Sequence, residues 1–336
     1  MKPDKRKLLA ALERFGGVKV AVVGDLLADV YIYARPVGLS REAPVMVLHE
    51  ESEKISPGGA ANAVNNVLEL AGKAVCVGVL GDDPAGSVLS EFLERRGADG
   101  ARIVTAKGES TYTKTRVFAG DIHTVKQQVF RIDRRPKNRM TKAVERKVLA
   151  SIDAAAKGVA AWLISDYDGD FFCDAVIDRL DGLAGGKVMV VDSHTRLTRF
   201  HGVTCATPNE AEAAHATGIE VVDDASALEA AKILAQEMGA RHVFVTRGNR
   251  GMTVAGRGKE HFSLPIVGPS EIVDVAGAGD TVAAVVTLAL ASGADALTAG
   301  LLASYAASVV CMKTGVATAS PAEVRAAVEE YPLPEI

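Results

Sequence analysis

Lys19-Val-Ala-Val-Val-Gly24 is a short β-branched run closed by a glycine, the pattern of a buried parallel strand. Similar runs recur at 74–80, 160–165, 187–192 and 241–246, and helical patterns over 59–70, 85–96, 141–157, 174–183 and 225–237 alternate with them. Alternation at this spacing predicts an α/β fold, with a mostly parallel central sheet covered by helices on both faces. Two patches depart from it. Residues 31–53 alternate irregularly, with Val45, Val47 and His49 on one side; over 111–133, Thr113, Thr115 and Val117 alternate with Lys114, Arg116 and Phe118, and Gly120-Asp121 supplies a turn. These predict short strands in a small accessory sheet. A hairpin over 252–265 and long helices from Ala278, Ala294 and Pro321 complete a single domain over 1–336.

Composition excludes several classes. The 336 residues are 48% hydrophobic and 24% charged, ordinary globular usage. With 38 Lys and Arg against 42 Asp and Glu the net charge is −4, so no basic field exists to hold a phosphate backbone and nucleic acid is not an expected partner. Cys76, Cys173, Cys205 and Cys311 lie far apart without a C-x-x-C pair, as buried reduced thiols would. Residues 1–15 are charged and helical in pattern, unlike a leader peptide, and the apolar stretch 282–291 is too short to cross a bilayer before Asp295. A cytoplasmic protein without a membrane partner is expected. The P-loop, the G-x-G-x-x-G fingerprint, G-x-S-x-G and H-E-x-x-H do not occur.

What remains is Asp274-Val-Ala-Gly277-Ala-Gly279-Asp280-Thr281, leading straight into an apolar helix. Small residues let successive N–H groups turn to one point at a helix N-terminus, where an anion is favoured. The turn is either a capped loop or a phosphate cradle. In the second case the amides of Gly277, Ala278 and Gly279 hold a phosphoryl group while Asp280 accepts the proton of an attacking hydroxyl. Gly58-Gly59 with Asn62 also enters a helix, and Asp25 and Asp29 follow the strand ending at Gly24, where open α/β sheets bind ligands; Asp29 could accept from two hydroxyls of a polyol. Asn209 and Glu212, at i and i+3, are either a helix cap or oxygen ligands suited to Mg²⁺ through water. Thr246, Gly248 and Gly251 punctuate a loop where a nucleotide could lie, or a plain turn.

Together and in this order, these four features resemble the PfkB (ribokinase-like) family of carbohydrate kinases over roughly 18–327. The resemblance implies a three-layer sandwich with a β-sheet lid near 31–53 and 111–133, and lid strands pairing between subunits of a homodimer. It implies ATP and Mg²⁺, often K⁺ near Asp274, with Asp280 as base, the sugar at Asp29, Gly58, Gly59 and Asn62, and the nucleotide at Asn209, Glu212, Thr246, Gly248 and Gly251. Gly24-Asp25, Lys114-Thr-Arg116, Gln127-Gln128, Arg131-Ile-Asp133 and Ser165-Asp166-Tyr167 look most like the heptose 7-phosphate kinase domain of the bifunctional lipopolysaccharide heptose enzymes, with the anomeric hydroxyl as acceptor. Arg116 and Arg131 are then candidate substrate contacts. No H-x-G-H occurs, so a nucleotidyltransferase activity is not expected. Asp168-Gly169-Asp170 and Asp192-Ser193-His194 stand where that branch would carry cations, which leaves another sugar or a nucleoside as the alternative substrate. From a different class, the alternative is a non-catalytic nucleotide or sugar sensor.

Overall fold

The computed structural model describes residues 4–120, 126–136, 138–258, 260–269 and 272–336. Asp121 of the expected turn and the first three residues of the N-terminal helical pattern lie outside them.

The large sheet runs, in spatial order, β13 (His261–Leu264), β12 (Met252–Gly256), β11 (His242–Thr246), β10 (Cys205–Ala206), β9 (Val188–Ser193), β8 (Ala161–Asp166), β1 (Lys19–Gly24), β4 (Lys73–Gly81) and β5 (Asp99–Ala106). Neighbours are parallel except in the final hairpin, where β11 to β12 and β12 to β13 are antiparallel. Alternation sends Val20 and Val22 into one apolar layer, and Ala21 and Val23 into the other. On the first face pack α1 (Lys5–Glu13), α2 (Ala60–Glu69), α3 (Pro84–Arg95), α8 (Ala278–Ala291), α9 (Ala296–Cys311) and α10 (Pro321–Glu330). On the second lie α4 (Lys142–Ala156), α5 (Asp174–Asp181), α6 (Glu210–Thr217) and α7 (Asp224–Glu237). This is the expected three-layer α/β arrangement. The edge strand β5 and the two-residue β10 escape sequence reading because neither carries a full apolar run. Helix α9 starts two residues later than expected, because Asp295 caps it by accepting from Thr298 N at 2.8 Å.

The second sheet holds β3 (Met46–Gly59), β2 (Leu26–Leu39), β6 (Tyr112–Ala119) and β7 (Gln127–Arg134). Its strands are longer than expected, two of them 14 residues each. Register shifts at Tyr33/Ala34 and Pro36/Gly38 break the period of two, which is why the sequence alternation looks irregular. Strand β2 leaves the end of β1 after a single residue, Asp25, and β3 runs directly into α2. Both junctions therefore fall at the carboxyl ends of the central strands. Cys76 and Cys205 are buried, whereas Cys173 and Cys311 are only partly so, against expectation. Among the described residues no helix is long and apolar enough to cross a membrane.

Candidate active site

The helix α8 is apolar almost all round and is buried for most of its length, so its N-terminal turn is carried into the interior. The turn opens at Gly277, whose φ of +79° suits glycine; a Cβ there would also sit 3.0 Å from Asn62 Nδ2 and 3.1 Å from Val316 Cγ1. Asp280 follows in the first turn and is 3% exposed. Asn62 and Asn66, one turn apart on α2, face it. Asn62 Nδ2 donates to Asp280 Oδ2 at 2.6 Å, and Thr281 Oγ1 donates to Asn66 Oδ1 at 2.7 Å. The other carboxylate oxygen, Oδ1, accepts from the Tyr167 hydroxyl at 3.0 Å. Burial pushes the carboxyl up to about 7, although both hydrogen bonds act to lower it. The expected anion cradle differs at one position. Ala278 N donates to Val275 O at 3.2 Å, so that amide is engaged; among the described residues Gly279 N and Asp280 N have no backbone acceptor. Asp274 closes the loop, its Oδ1 accepting from Ala276 N and its Oδ2 from Gly315 N, both at 2.9 Å.

Tyr167 comes from the loop after β8, and that loop is fixed from below. Asp25, wholly buried, accepts from Tyr167 N and Gly169 N at 3.0 Å each through Oδ2. A Cβ on Gly169 would overlap Asp25 Oδ1, so only glycine passes there. Burial and the neighbouring Asp166 push Asp25 up to about 6. Around it, Arg139 reaches Asp170 Oδ1 at 2.9 Å and Val79 O at 3.0 Å, Ser193 Oγ donates to Asp166 Oδ2 at 2.7 Å, and Arg196 NH1 reaches Asp166 Oδ1 at 2.6 Å. Asp170, standing where a substrate-facing cation was expected, is thus the partner of a buried arginine. Asp168 accepts from Thr195 Oγ1.

On the small sheet, Asp29 of β2 is ion-paired with Arg116 of β6. Burial raises the Asp29 carboxyl and the guanidinium opposes it. A Cβ on Gly58 would overlap Asp29 Oδ2, and Gly59 at φ +54° turns the chain into α2, so the Gly58-Gly59 pair, Asp29 and Asn62 do lie together. Arg131 does not join them: it is exposed on β7 and paired with Asp133 at 2.8 Å. Lys114 does, with Nζ 4.8 Å from the centre of the Tyr167 ring and 5.7 Å from that of Tyr112. His194 packs against the same tyrosine, its ring centre 4.4 Å from that of Tyr167. Burial lowers both Lys114 and His194.

Of the nucleotide candidates, Thr246, Gly248 and Gly251 share a cleft with the α8 turn, whereas Asn209 and Glu212 do not line it. This cleft of about 240 Å³ runs from Thr246, Gly248 and Gly251 to Ala278 and Gly279, with Val282 and Cys311 among its apolar walls. Asn209 and Glu212 form a capping box for α6: Asn209 Oδ1 accepts from Glu212 N at 2.9 Å, and Glu212 Oε2 accepts from Asn209 N at 2.8 Å. The Asn209 oxygen expected to face a cation is therefore engaged by the helix. Glu212 keeps Oε1, 3.7 Å from His194 Nε2, and burial pushes its carboxyl up to about 7. Among the described residues no three His, Cys, Asp or Glu side chains are grouped to hold a metal.

Residues 18–323 match the model of the pfkB family carbohydrate kinases. The chain belongs to the pfkB family. Among curated relatives of this pfkB kinase, the bifunctional protein HldE of Pelobacter propionicus is 35% identical over 324 residues, covering 96% of this chain and 65% of the relative. The bifunctional protein HldE of Caulobacter sp. strain K31 is 40% identical over 313 residues, 91% of this chain and 62% of the relative. The chain thus spans less than two thirds of their length. The fold is that of Arabidopsis thaliana ribokinase complexed with ribose and ATP, at a TM-score of 0.75 and 19% identity, covering 93% of this chain and 99% of that one. Escherichia coli phosphofructokinase-2, solved with substrates and products, gives a TM-score of 0.75 at 16% identity, covering 93% and 98%. This pfkB enzyme is accordingly a sugar kinase with a ribokinase-like fold. Its site contains residues that motif reading passed over as contacts: Tyr167 on Asp280, the Arg139–Asp170 pair and half-buried Asp192. The sequence marked Tyr167 by its place just beyond a strand end and as part of Ser165-Asp166-Tyr167, but neither signal pointed to Asp280.

Proposed function

We propose that this pfkB kinase transfers the γ-phosphoryl group of ATP to a hydroxyl of a sugar phosphate, with the anomeric hydroxyl of a heptose 7-phosphate as best candidate. The observation that carries the reading is the Asp280 turn, where a buried carboxylate held by Asn62 and Tyr167 stands beside two unengaged amides at a helix N-terminus. In this reading Asp280 takes the proton of the acceptor hydroxyl, whose oxygen bonds the γ-phosphorus as the bond to the β-phosphate bridge breaks and ADP leaves. Asp29, Gly58, Gly59 and Asn62 orient the sugar, with Arg116 fixing Asp29. The free amides of Gly279 and Asp280, at the turn that Gly277 opens, stabilise the developing charge.

The apolar cleft between Thr246 and Gly279 suits an adenine, and a Cβ at Gly279 would meet nothing within 4 Å, which leaves its amide room for a phosphate. Mg²⁺ bound with ATP would neutralise phosphate charge. The donor set fits a cation held largely by phosphates and water, with Glu212 Oε1, which the capping box leaves out, as a carboxylate oxygen to offer. A phosphorylated acceptor is supported by the likeness to the HldE proteins and by Lys114, which among the described residues has no ion pair. Arg135 lies nearby, its guanidinium 5.5 Å from the Tyr112 ring centre. Asp168 and Asp170, in place of cations, favour a second reading, an unphosphorylated sugar. The exposed apolar side chains Leu39, Met46, Phe130 and Ile132 on the small sheet support its role as a lid that pairs two subunits.

ADP release with Mg-ATP across heptose 7-phosphate, fructose phosphates, ribose, fructose and nucleosides, with and without K⁺, tests the reading. Turnover on a sugar phosphate supports it; turnover on neutral sugars only establishes the second reading, and ATP binding with no turnover anywhere overturns both.

A further inference from the structure

We infer that Tyr167 is a positioning residue of phosphoryl transfer: its hydroxyl orients the Asp280 carboxylate, and Asp25 holds Tyr167 in place through the backbone of the 166–169 loop. This rests on Asp280 being the base. The carboxylate has two fixed donors from separate segments, Asn62 Nδ2 of α2 on Oδ2 at 2.6 Å and Tyr167 of the loop after β8 on Oδ1 at 3.0 Å. With only Asn62 in place, the carboxyl plane could still rotate about the Cβ–Cγ bond; the second donor removes that freedom, leaving one lone pair on each oxygen for an incoming hydroxyl.

The phenol cannot drift, because the backbone that bears it is bonded. Asp25 Oδ2 accepts from Tyr167 N and Gly169 N, and Arg196 NH2 donates to Gly169 O at 2.9 Å. Asp166, one residue before Tyr167, is held by Ser193 and Arg196. The ring is packed against His194 and has the Lys114 ammonium 4.8 Å from its centre. Burial and the adjacent Asp280 hold the phenol well above its ordinary range, so it remains an O–H donor throughout the working pH. The groups facing Asp280 are Asn62 from α2, Asp29 from β2, Lys114 from β6, Asp192 from β9 and Tyr167 itself. Of these, the two donors and Lys114 favour its ionised form, while Asp29 and Asp192 disfavour it.

Tyr167→Phe is the test, with Asp280→Asn alongside, on whichever sugar the panel identifies. Tyr167→Phe should keep the melting temperature and the sugar KM, lower kcat roughly 10- to 100-fold, the worth of one hydrogen bond to a charged group, and move the acid limb of the kcat profile up by about one pH unit. Asp25→Ala should reproduce both changes where it folds, and Asp25→Asn, which keeps an acceptor oxygen for the two N–H groups, should restore most of kcat. Wild-type kcat and an unmoved acid limb in Tyr167→Phe, with Asp280→Asn inactive, overturn the inference while leaving the base in place. Full turnover by Asp280→Asn removes the base itself, and the inference with it.

Discussion

Asn62 and Asp280 are 218 residues apart in the chain, and their side chains meet at 2.6 Å where the first turns of α2 and α8 converge. Neither helix places its polar residue by itself; the packing of the two does. If the carboxylate is the base, Asp280→Asn removes proton acceptance while keeping shape, so sugar and ATP affinity should stay within a few-fold. Turnover should fall by at least roughly 10²-fold. Isothermal titration beside an ADP-release assay checks both halves.

Burial lifts Asp280 from an ordinary 3.8 to about 7, so between those values the native chain holds a proton that the unfolded chain has lost. The stability this gives is complete below about pH 4 and disappears as pH rises through 7. Asp280→Asn has no such proton to lose. It should therefore melt like the wild type near pH 4 and above it at pH 8, by an amount on the order of a few kcal/mol. Thermal melts across pH 4–8 decide this, and a constant offset across the range would contradict it.

Two glycines of one turn should respond differently to alanine. Gly277 is in the left-handed region and its Cβ would press on Asn62 and Val316, so Gly277→Ala should cost about 1–2 kcal/mol and most of the activity. Gly279 has open space before it, so Gly279→Ala should leave the melting temperature unchanged and raise the KM for ATP. Equal effects of both on ATP affinity would argue against an anion at this turn.

Arg139 is 1% exposed and its guanidinium answers Asp170 at 2.9 Å and 3.1 Å. Arg139→Ala leaves buried Asp25 and partly buried Asp170 without their cation, and should destabilise by about 3–5 kcal/mol. Denaturant unfolding measures it; a loss below about 1 kcal/mol would show that the pair is dispensable.

Lys114 supplies the remaining test of substrate class. Lys114→Met keeps the stem packed over the Tyr167 ring and removes the charge. On a phosphorylated acceptor the KM should rise about 10-fold or more, with little change on the same sugar without its phosphate. Parallel loss on both would move Lys114 from the phosphate to Asp280.

The order of strands and helices, the three-layer class and the turn from Gly277 to Asp280 are all legible in the sequence. Each depends on local signals: β-branched runs, helical periodicity, and glycines before a helix. The accessory strands were legible in existence but not in length, because two register shifts disturb their alternation. Capping decided Asn209 and Glu212, where the local alternative is what the side chains do. Which charged residue faces the site was not legible. Arg116, Arg131 and Lys114 lie within or beside one small sheet; the first is held by Asp29, the second is turned to Asp133, and the third is left beside Tyr167. Strand register fixes the face each residue takes, but partners from distant strands decide which charges are neutralised. The same holds for Tyr167, an ordinary residue in a loop until Asp25, just past the end of β1, bonds its backbone and α8 brings Asp280 to its hydroxyl. Chemistry at single positions was written locally. Its geometry came from contacts between segments far apart in the chain, which only the packing of the sheet and helices could select.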